Sequence, residues 1–413
     1  MSMFEQTLKR AASRAARRSN RPVAVVVNTG DANSYGVIAN LGSEGVPIIA
    51  ASSDPQNITF RSRYAEPLLI ADFEREEAQF IEQLLALGSA LNPKPVLFTN
   101  GDEILMTLLR HRERLEAVYH LPFARTELAH ALTDKTAFYE LLAANDVPHA
   151  HAFTPASEEA LAAIAHSLDY PQIIKPSQSQ TFSQVFGNKC LQADSPAQLL
   201  DLYRKVREHE DEVVIQTRIL GTERYLVYTC FSRESQRLGV AAYRKERIYP
   251  PEFGNATVCR TILDEEPIEM TLGLLEKLGY SGTAEAELQR DARDGKFKVV
   301  EVNVRTTTQS RLSAACGVNM EYIAYCDVLG EQQSFKANSR ADQLWIDLYR
   351  DALAVFTSRA YRDHSGIGFF GWLRSLRGRK VFAFCSLRDP RVSLAMIGRV
   401  LRVHVFSRLG FGR

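Results

Sequence analysis

Apolar and polar positions follow two rhythms along the chain. Pro22-Val-Ala-Val-Val-Val-Asn28 is a continuous apolar run, and so are Val46-Pro-Ile-Ile-Ala-Ala51 and Pro95-Val-Leu-Phe-Thr99. Short runs of this kind predict parallel strands buried on both faces. Between them, residues 34–45, 73–91 and 102–118 carry apolar positions at helical spacing. The β-α-β alternation predicts a Rossmann-like, doubly wound domain over residues 22–128. Gly30 and Gly36 do not complete a GxGxxG turn, so the scaffold reads as one without a dinucleotide. Residues 1–21 are a basic, Ala/Arg-rich extension without the apolar core of a secretory signal.

The rhythm changes after residue 128. A helix over 134–145 stops at Asn145-Asp-Val-Pro148. A strand over Tyr170-Pro-Gln-Ile-Ile-Lys-Pro176, a helix over 196–208 and a strand over Glu212-Val-Val-Ile-Gln216 follow. Strands at 222–232 and 237–245, a helix at 267–279, a hairpin and a helix at 317–330 complete an α+β unit over residues 129–330. Residues 331–413 read as a largely helical C-terminal region, basic from Arg374 onward with Asp389 its only acid. The expected fold class is therefore α/β joined to α+β.

Composition narrows the function. The 413 residues suit two or three domains. A formal net charge of +1 supplies no field that would steer the whole chain to nucleic acid. The six cysteines lack CxxC pairing and read as buried thiols of a reducing compartment. No apolar stretch reaches transmembrane length, so a cytoplasmic protein is expected.

The chemistry concentrates in one hairpin. Gly282-Thr-Ala-Glu-Ala-Glu287 and Val299-Val-Glu-Val-Asn-Val-Arg305 flank a polar stretch whose Asp294-Gly295 is a turn signal. Glu301 and Asn303, two apart, share a strand face, and Glu287 joins them from the partner strand. Three hard oxygen donors suit Mg²⁺, or Mn²⁺, that also takes phosphate oxygens. An exposed sheet face is the bland alternative, but acids inside such apolar runs disfavour a strand unless a partner compensates them. Arg305 follows on the same face, within reach of a phosphate.

Weaker signals lie upstream. Lys175 ends a strand beside a hydroxyl-bearing loop with Ser177 and Ser179, suited to phosphates, although a surface lysine is the commoner case. Gln216-Thr-Arg-Ile-Leu-Gly221 is either a hinge for an adenine edge or an ordinary strand corner, with Glu223 placed for ribose hydroxyls. Lys245 or Arg247 would meet a γ-phosphate or a substrate carboxylate, or else lie in a solvated basic loop.

The order of these motifs resembles the ATP-grasp superfamily, and the hairpin resembles its carboxylate–amine ligase-like (D-aspartate ligase-like) subgroup. The resemblance covers roughly residues 20–330. It implies a Rossmann-like pre-ATP-grasp domain followed by a two-subdomain ATP-grasp fold. It implies Lys135 and Lys175 as ATP-contacting lysines, Gln216, Thr217, Arg218 and Ile219 as the adenine hinge, and Glu223 at the ribose. It implies Glu287, Glu301 and Asn303 as magnesium ligands and Arg305 as the arginine that steadies the transferring phosphoryl group. The chain departs from the subgroup at Val304, where proline is usual, and at Thr306-Thr-Thr-Gln-Ser310.

The expected activity is ATP-dependent ligation of a small-molecule carboxylate to an amine through an acyl phosphate, with Arg311 a candidate for holding the carboxylate. A non-catalytic ATP-binding module is one alternative. A different ATP-grasp reaction, such as carboxylation, is another, and the absence of a Met-Lys-Met biotin-accepting site counts against a self-contained carboxylase. The tail after Val392 mixes apolar residues with Arg399, Arg402 and Arg408. It suits an anionic membrane surface, packing against the body, or a homo-oligomer contact.

Overall fold

The computed structural model describes residues 3–176, 182, 185, 186, 190–210 and 212–401. Its first sheet joins β1 (Ala24–Val27), β2 (Ile48–Ser52), β3 (Ala65–Leu69) and β4 (Val96–Thr99) in the order β3-β2-β1-β4. All three pairings are parallel, with Val25 opposite both Ile49 and Leu97. The apolar runs are buried throughout, as strands covered on both faces require. The helix Ala32–Ser43 starts at Asp31, whose side chain accepts from the Ser34 N–H. The helix expected over 102–118 is two pieces, Asp102–Arg110 and Arg112–Val118, divided at His111.

The basic N-terminal segment is more than an extension. Met3–Ala16 is a helix that buries Leu8, Ala11 and Ala15 in the main core. Their spacing is one face of a helix, and that face packs on β3.

A second, small sheet contains β5 (Ala152–Phe153), β6 (Gln172–Pro176), β7 (Leu191–Ala193) and β8 (Val213–Thr217) in the order β5-β8-β6-β7. The helices Glu158–Ala165 and Pro196–Arg207 cover it, and Leu161, Ile174, Leu199, Tyr203 and Ile215 form its own core.

The third sheet carries the hairpin. Its strands are β9 (Arg224–Phe231), β10 (Arg237–Tyr249), β11 (Asn255–Ile262), β12 (Gly282–Arg290), β13 (Phe297–Asn303), β14 (Lys336–Ala337), β15 (Leu344–Ile346) and β16 (Lys380–Phe382). They run β13-β12-β9-β10-β11-β15-β16, with β14 beside β10. The C-terminal region is helical over Leu348–Thr357, Arg359–Ser365, Phe369–Ser375 and Pro390–Leu401, and it also donates these last three strands to the sheet. The helix Pro390–Leu401 closes over the first domain, where Val392 packs with Tyr35, Ala39 and Ile58. All six cysteines are free, and five are buried.

Candidate active site

β12 and β13 pair antiparallel, with Glu287 opposite Glu301 and Glu285 opposite Asn303. A register shift follows the Glu287–Glu301 pair and leaves Val300 as the extra residue. Without it, Val299 and Glu301 would share a face. With it, Val299 goes into the core while Glu301 faces the cleft. The three expected oxygen donors therefore stand together, Asn303 Nδ2 donating to Glu301 Oε1 at 3.3 Å.

They line a cleft of about 510 Å³ bounded by the second and third sheets and by the segments that follow β1 and β4. Lys245 Nζ meets Glu287 Oε2 at 2.5 Å. Burial disfavours the Lys245 charge, but the charge of Glu287 and its hydrogen bond outweigh that and hold the pKa above the usual lysine range. The basic segment after Ala242 is thus strand, not loop. Glu246 is a bulge between Lys245, opposite Cys259, and Arg247, opposite Val258. That extra residue sends the two cations to opposite faces.

Arg247 consequently lies outside the cleft, a correction to the expectation that it meets phosphate or substrate. Its Nε and Nη2 donate to Asp351 Oδ1 and Oδ2 at 2.9 and 2.6 Å. Asp351 is fully buried and also accepts from Thr257 Oγ1, Tyr361 OH and Trp372 Nε1 at 2.9, 2.6 and 2.8 Å. Arg311 is likewise structural. It donates to the Phe382 and Ala383 carbonyls and lies over the Tyr35 ring, away from the cleft lining.

Lys135 and Lys175 do reach the cleft. Lys135 opens the helix Lys135–Ala144, which Asp134 caps, and its Nζ donates to the Pro176 carbonyl. Burial, and then the neighbouring Lys175 charge, push its pKa down to about 8. Lys175 Nζ donates to Tyr139 OH at 3.2 Å, and that hydroxyl donates to Gln216 Oε1 at 2.8 Å. Tyr139, unremarked in the sequence, thereby ties a lysine to the hinge. Ser177 and Ser179 lie outside the described residues.

The hinge divides. Gln216, Arg218 and Ile219 line the cleft. The Thr217 and Arg218 N–H groups are spent on the His151 and Pro171 carbonyls, both at 2.9 Å, so neither reads an adenine edge. Among the described residues, the Ile219 N–H has no backbone partner. Thr217 is buried with its hydroxyl on Gln172, off the lining. Glu223 is paired with Arg290 at 3.1 Å and also off the lining.

Glu285 is the main residue missed. It is buried at the cleft wall, accepts from Thr307 Oγ1, and has its pKa pushed up to about 7 by burial, against the pull of Thr307, Lys245 and Arg305. Its place two residues before Glu287 was a readable signal. The first domain supplies Asp31, Asn33, Asn100 and Asp102, a wall with two carboxylates, two amides and no cation. Asn33 holds the segment after Arg305 to this wall, donating to the Thr306 carbonyl and accepting from its hydroxyl, both at 2.8 Å.

Among the described residues no cluster of three or more His, Cys, Asp or Glu side chains is assembled for a metal. Glu287, Glu301 and the Asn303 amide are nonetheless three oxygen donors on one face. That set fits a hard cation that takes its other ligands from phosphate and water.

No protein-family model matches the chain. D-aspartate ligase of Enterococcus faecium (strain Aus0004) is 24% identical over 309 residues, covering 70% of this chain and 73% of that protein. The biotin carboxylase domain of Hydrogenobacter thermophilus 2-oxoglutarate carboxylase, solved with MgADP and bicarbonate, superimposes with a TM-score of 0.62 at 13% identity. The match covers 78% of this chain and 72% of that one. The chain has the ATP-grasp fold of that structure. L-amino acid ligase from Bacillus licheniformis shares it with a TM-score of 0.57 at 16% identity, over 76% of this chain and 77% of that one. In this fold the two lysines and the hairpin acids face one another across a single cleft.

Proposed function

We propose that the chain is an ATP-dependent carboxylate–amine ligase that works through an acyl phosphate. The observation that carries this is the shared cleft, with Lys135 and Lys175 on one side and Glu287, Glu301 and Asn303 on the other. Lys175 and Lys135 bind the nucleotide phosphates, and Ile219 meets the adenine edge through its N–H. Glu287, Glu301 and Asn303 would hold Mg²⁺, which supplies charge neutralisation at the phosphates. A carboxylate oxygen attacks the γ-phosphorus, and the bond to ADP breaks with its electron pair on the leaving nucleotide. Arg305 and Lys245 stabilise the charge on the transferring group. The amine nitrogen then bonds to the acyl carbon, phosphate departs with the C–O electron pair, and a proton leaves the nitrogen.

The test is ADP release from Mg-ATP across a panel of acids and amines, with hydroxylamine trapping the acyl phosphate as a hydroxamate. ADP release with bicarbonate alone and no hydroxamate would favour carboxylation. Absence of ADP release with bound ATP would favour a regulatory module. Glu301→Ala retaining full activity would sink the metal assignment.

A second reading concerns the C-terminal helix Pro390–Leu401. No helix among the described residues is long and apolar enough to cross a membrane. The free side of this helix exposes Leu394 by 66% and Ile397 by 53% near Arg391 and Arg399. That supports a peripheral contact with an anionic membrane surface. Co-sedimentation of the full chain with anionic vesicles tests it. A dimeric mass without vesicle binding would assign the face to a homo-oligomer.

A further inference from the structure

A hollow of about 820 Å³ lies where the first and last helices of the described chain meet the first domain, outside the ATP-grasp cleft. Its lining includes Arg14, Arg18, Arg61, Arg63 and Arg391. Among the described residues only two acids, Glu66 and Asp389, share it, which leaves a formal surplus of three positive charges in this lining.

Both acids are already engaged. Glu66 is buried and takes Arg18 Nη2 at 2.5 Å and Arg14 Nη1 at 3.7 Å. Asp389 is fully buried and accepts from Ser62 Oγ at 2.6 Å and the Arg63 N–H at 3.1 Å. They form the floor that clamps three distant segments together. Arg63 lends one guanidinium nitrogen to the Arg388 carbonyl at 3.3 Å. Arg61 and Arg391 are exposed and make no ion pair with any described residue. Like charges gathered with too few counter-charges repel one another, and a bound anion relieves that repulsion.

We propose that this hollow is a binding site for a phosphate-bearing ligand. Guanidinium forks match phosphate oxygens two at a time, which a lysine cluster does not do. The convergence of arginines from the helix Met3–Ala16, the turn around Arg61 and the start of the helix Pro390–Leu401 makes a concave site, not a flat basic face. The phosphate is either free in solution or the headgroup of an anionic lipid. The exposed Leu387 and Leu394 nearby suit the second source.

The experiment uses the full chain with its nucleotide cleft saturated by ADP. One arm titrates pyrophosphate calorimetrically, and the other measures co-sedimentation with phosphatidylglycerol vesicles against phosphatidylcholine vesicles. The paired variant Arg61→Ala/Arg391→Ala touches neither buried acid, so its thermal unfolding should match the native chain. Binding in at least one arm, weakened tenfold or more in that variant with ADP release unchanged, is the expected result. Pyrophosphate binding alone identifies a soluble ligand, and vesicle binding alone identifies a lipid headgroup. No binding in either arm, or binding that the paired variant and a separate Arg63→Ala variant retain in full, overturns the proposal.

Discussion

Arg305 is forked onto Asp102, with Nε on Oδ1 at 2.8 Å and Nη2 on Oδ2 at 2.9 Å. The pair joins the end of the hairpin to the first helical residue after β4, so two domains share the frame of one cleft. Burial disfavours the Arg305 charge, but Asp102 outweighs it and the pKa stays above the usual arginine value. Asp102 is half-exposed, which limits the worth of the pair. We expect a coupling of about 1 kcal/mol between Asp102→Ala and Arg305→Lys in a double-mutant cycle read by thermal unfolding. Additive effects would show that the fork does not hold the domains together.

Metal removal should stop the chemistry. ADP release is expected to vanish with EDTA and return with added Mg²⁺. Glu287→Gln, which keeps the shape but removes a charge from the donor set, should raise the Mg²⁺ concentration needed by on the order of tenfold. An unchanged Mg²⁺ requirement would remove Glu287 from the metal site.

Lys135 sets a pH limit. Its pKa near 8 in the free chain means that it is charged below that pH and neutral above it. The value of kcat/KM for ATP, which reports the free enzyme, should therefore fall as pH rises through about 8. Stability moves the other way. The folded chain releases this proton before the unfolded one does, so the Lys135 contribution to stability rises between about 8 and the usual lysine value of 10.5. Lys135→Arg should abolish the alkaline fall. A limb that persists in that variant belongs to another group.

Asp351 is expected to matter for stability more than for catalysis. Asp351→Ala strands the Arg247 charge inside the protein and should cost about 3–5 kcal/mol by chemical denaturation. Because Trp372 and Tyr361 hang on the same carboxylate, proteolysis should reach the helices after Leu348 first. Removing both charges with Arg247→Met and Asp351→Leu should recover much of the loss. Equal damage from the double variant would mean that the pair is more than a charge balance.

Asp31 should act on the amine. Asparagine at this position still caps the helix Ala32–Ser43, so Asp31→Asn removes a charge while keeping the fold. Arg305 is held by Asp102 on the same wall, whereas Asp31 has no ion pair with any described residue, which favours an ammonium group at Asp31. We expect the KM for the amine to rise about tenfold, equivalent to about 1.4 kcal/mol, with hydroxylamine trapping unchanged. Loss of trapping would place Asp31 in acyl-phosphate formation instead.

Strands β1, β2 and β4 were legible because burial on both faces leaves a continuous apolar run, and β6 and β8 by their shorter apolar stretches. Glu287, Glu301 and Asn303 were legible because strand alternation is local, and the turn at Asp294-Gly295 marks the pairing. Lys135 came only from the resemblance in the order of motifs, and its helix cap Asp134 is seen in the structure. The edge strand β3 was not legible, since Ala65-Glu-Pro-Leu-Leu69 keeps no clean period. The helix Met3–Ala16 was hidden by its arginines, which mask an apolar face of only a few small residues.

By itself the sequence determined the order of the parts and the strand pair that carries the oxygen donors. These depend on neighbours one to four residues apart, where backbone geometry leaves little freedom. Tertiary structure alone decided the rest. A bulge at Glu246 separates Lys245 from Arg247, and a bulge at Val300 turns Glu301 into the cleft. Asp351 claims Arg247 from 104 residues away, and Asp102 claims Arg305 from 203. Such pairings follow from which surfaces meet when the sheets pack, and no local pattern in the chain encodes that meeting.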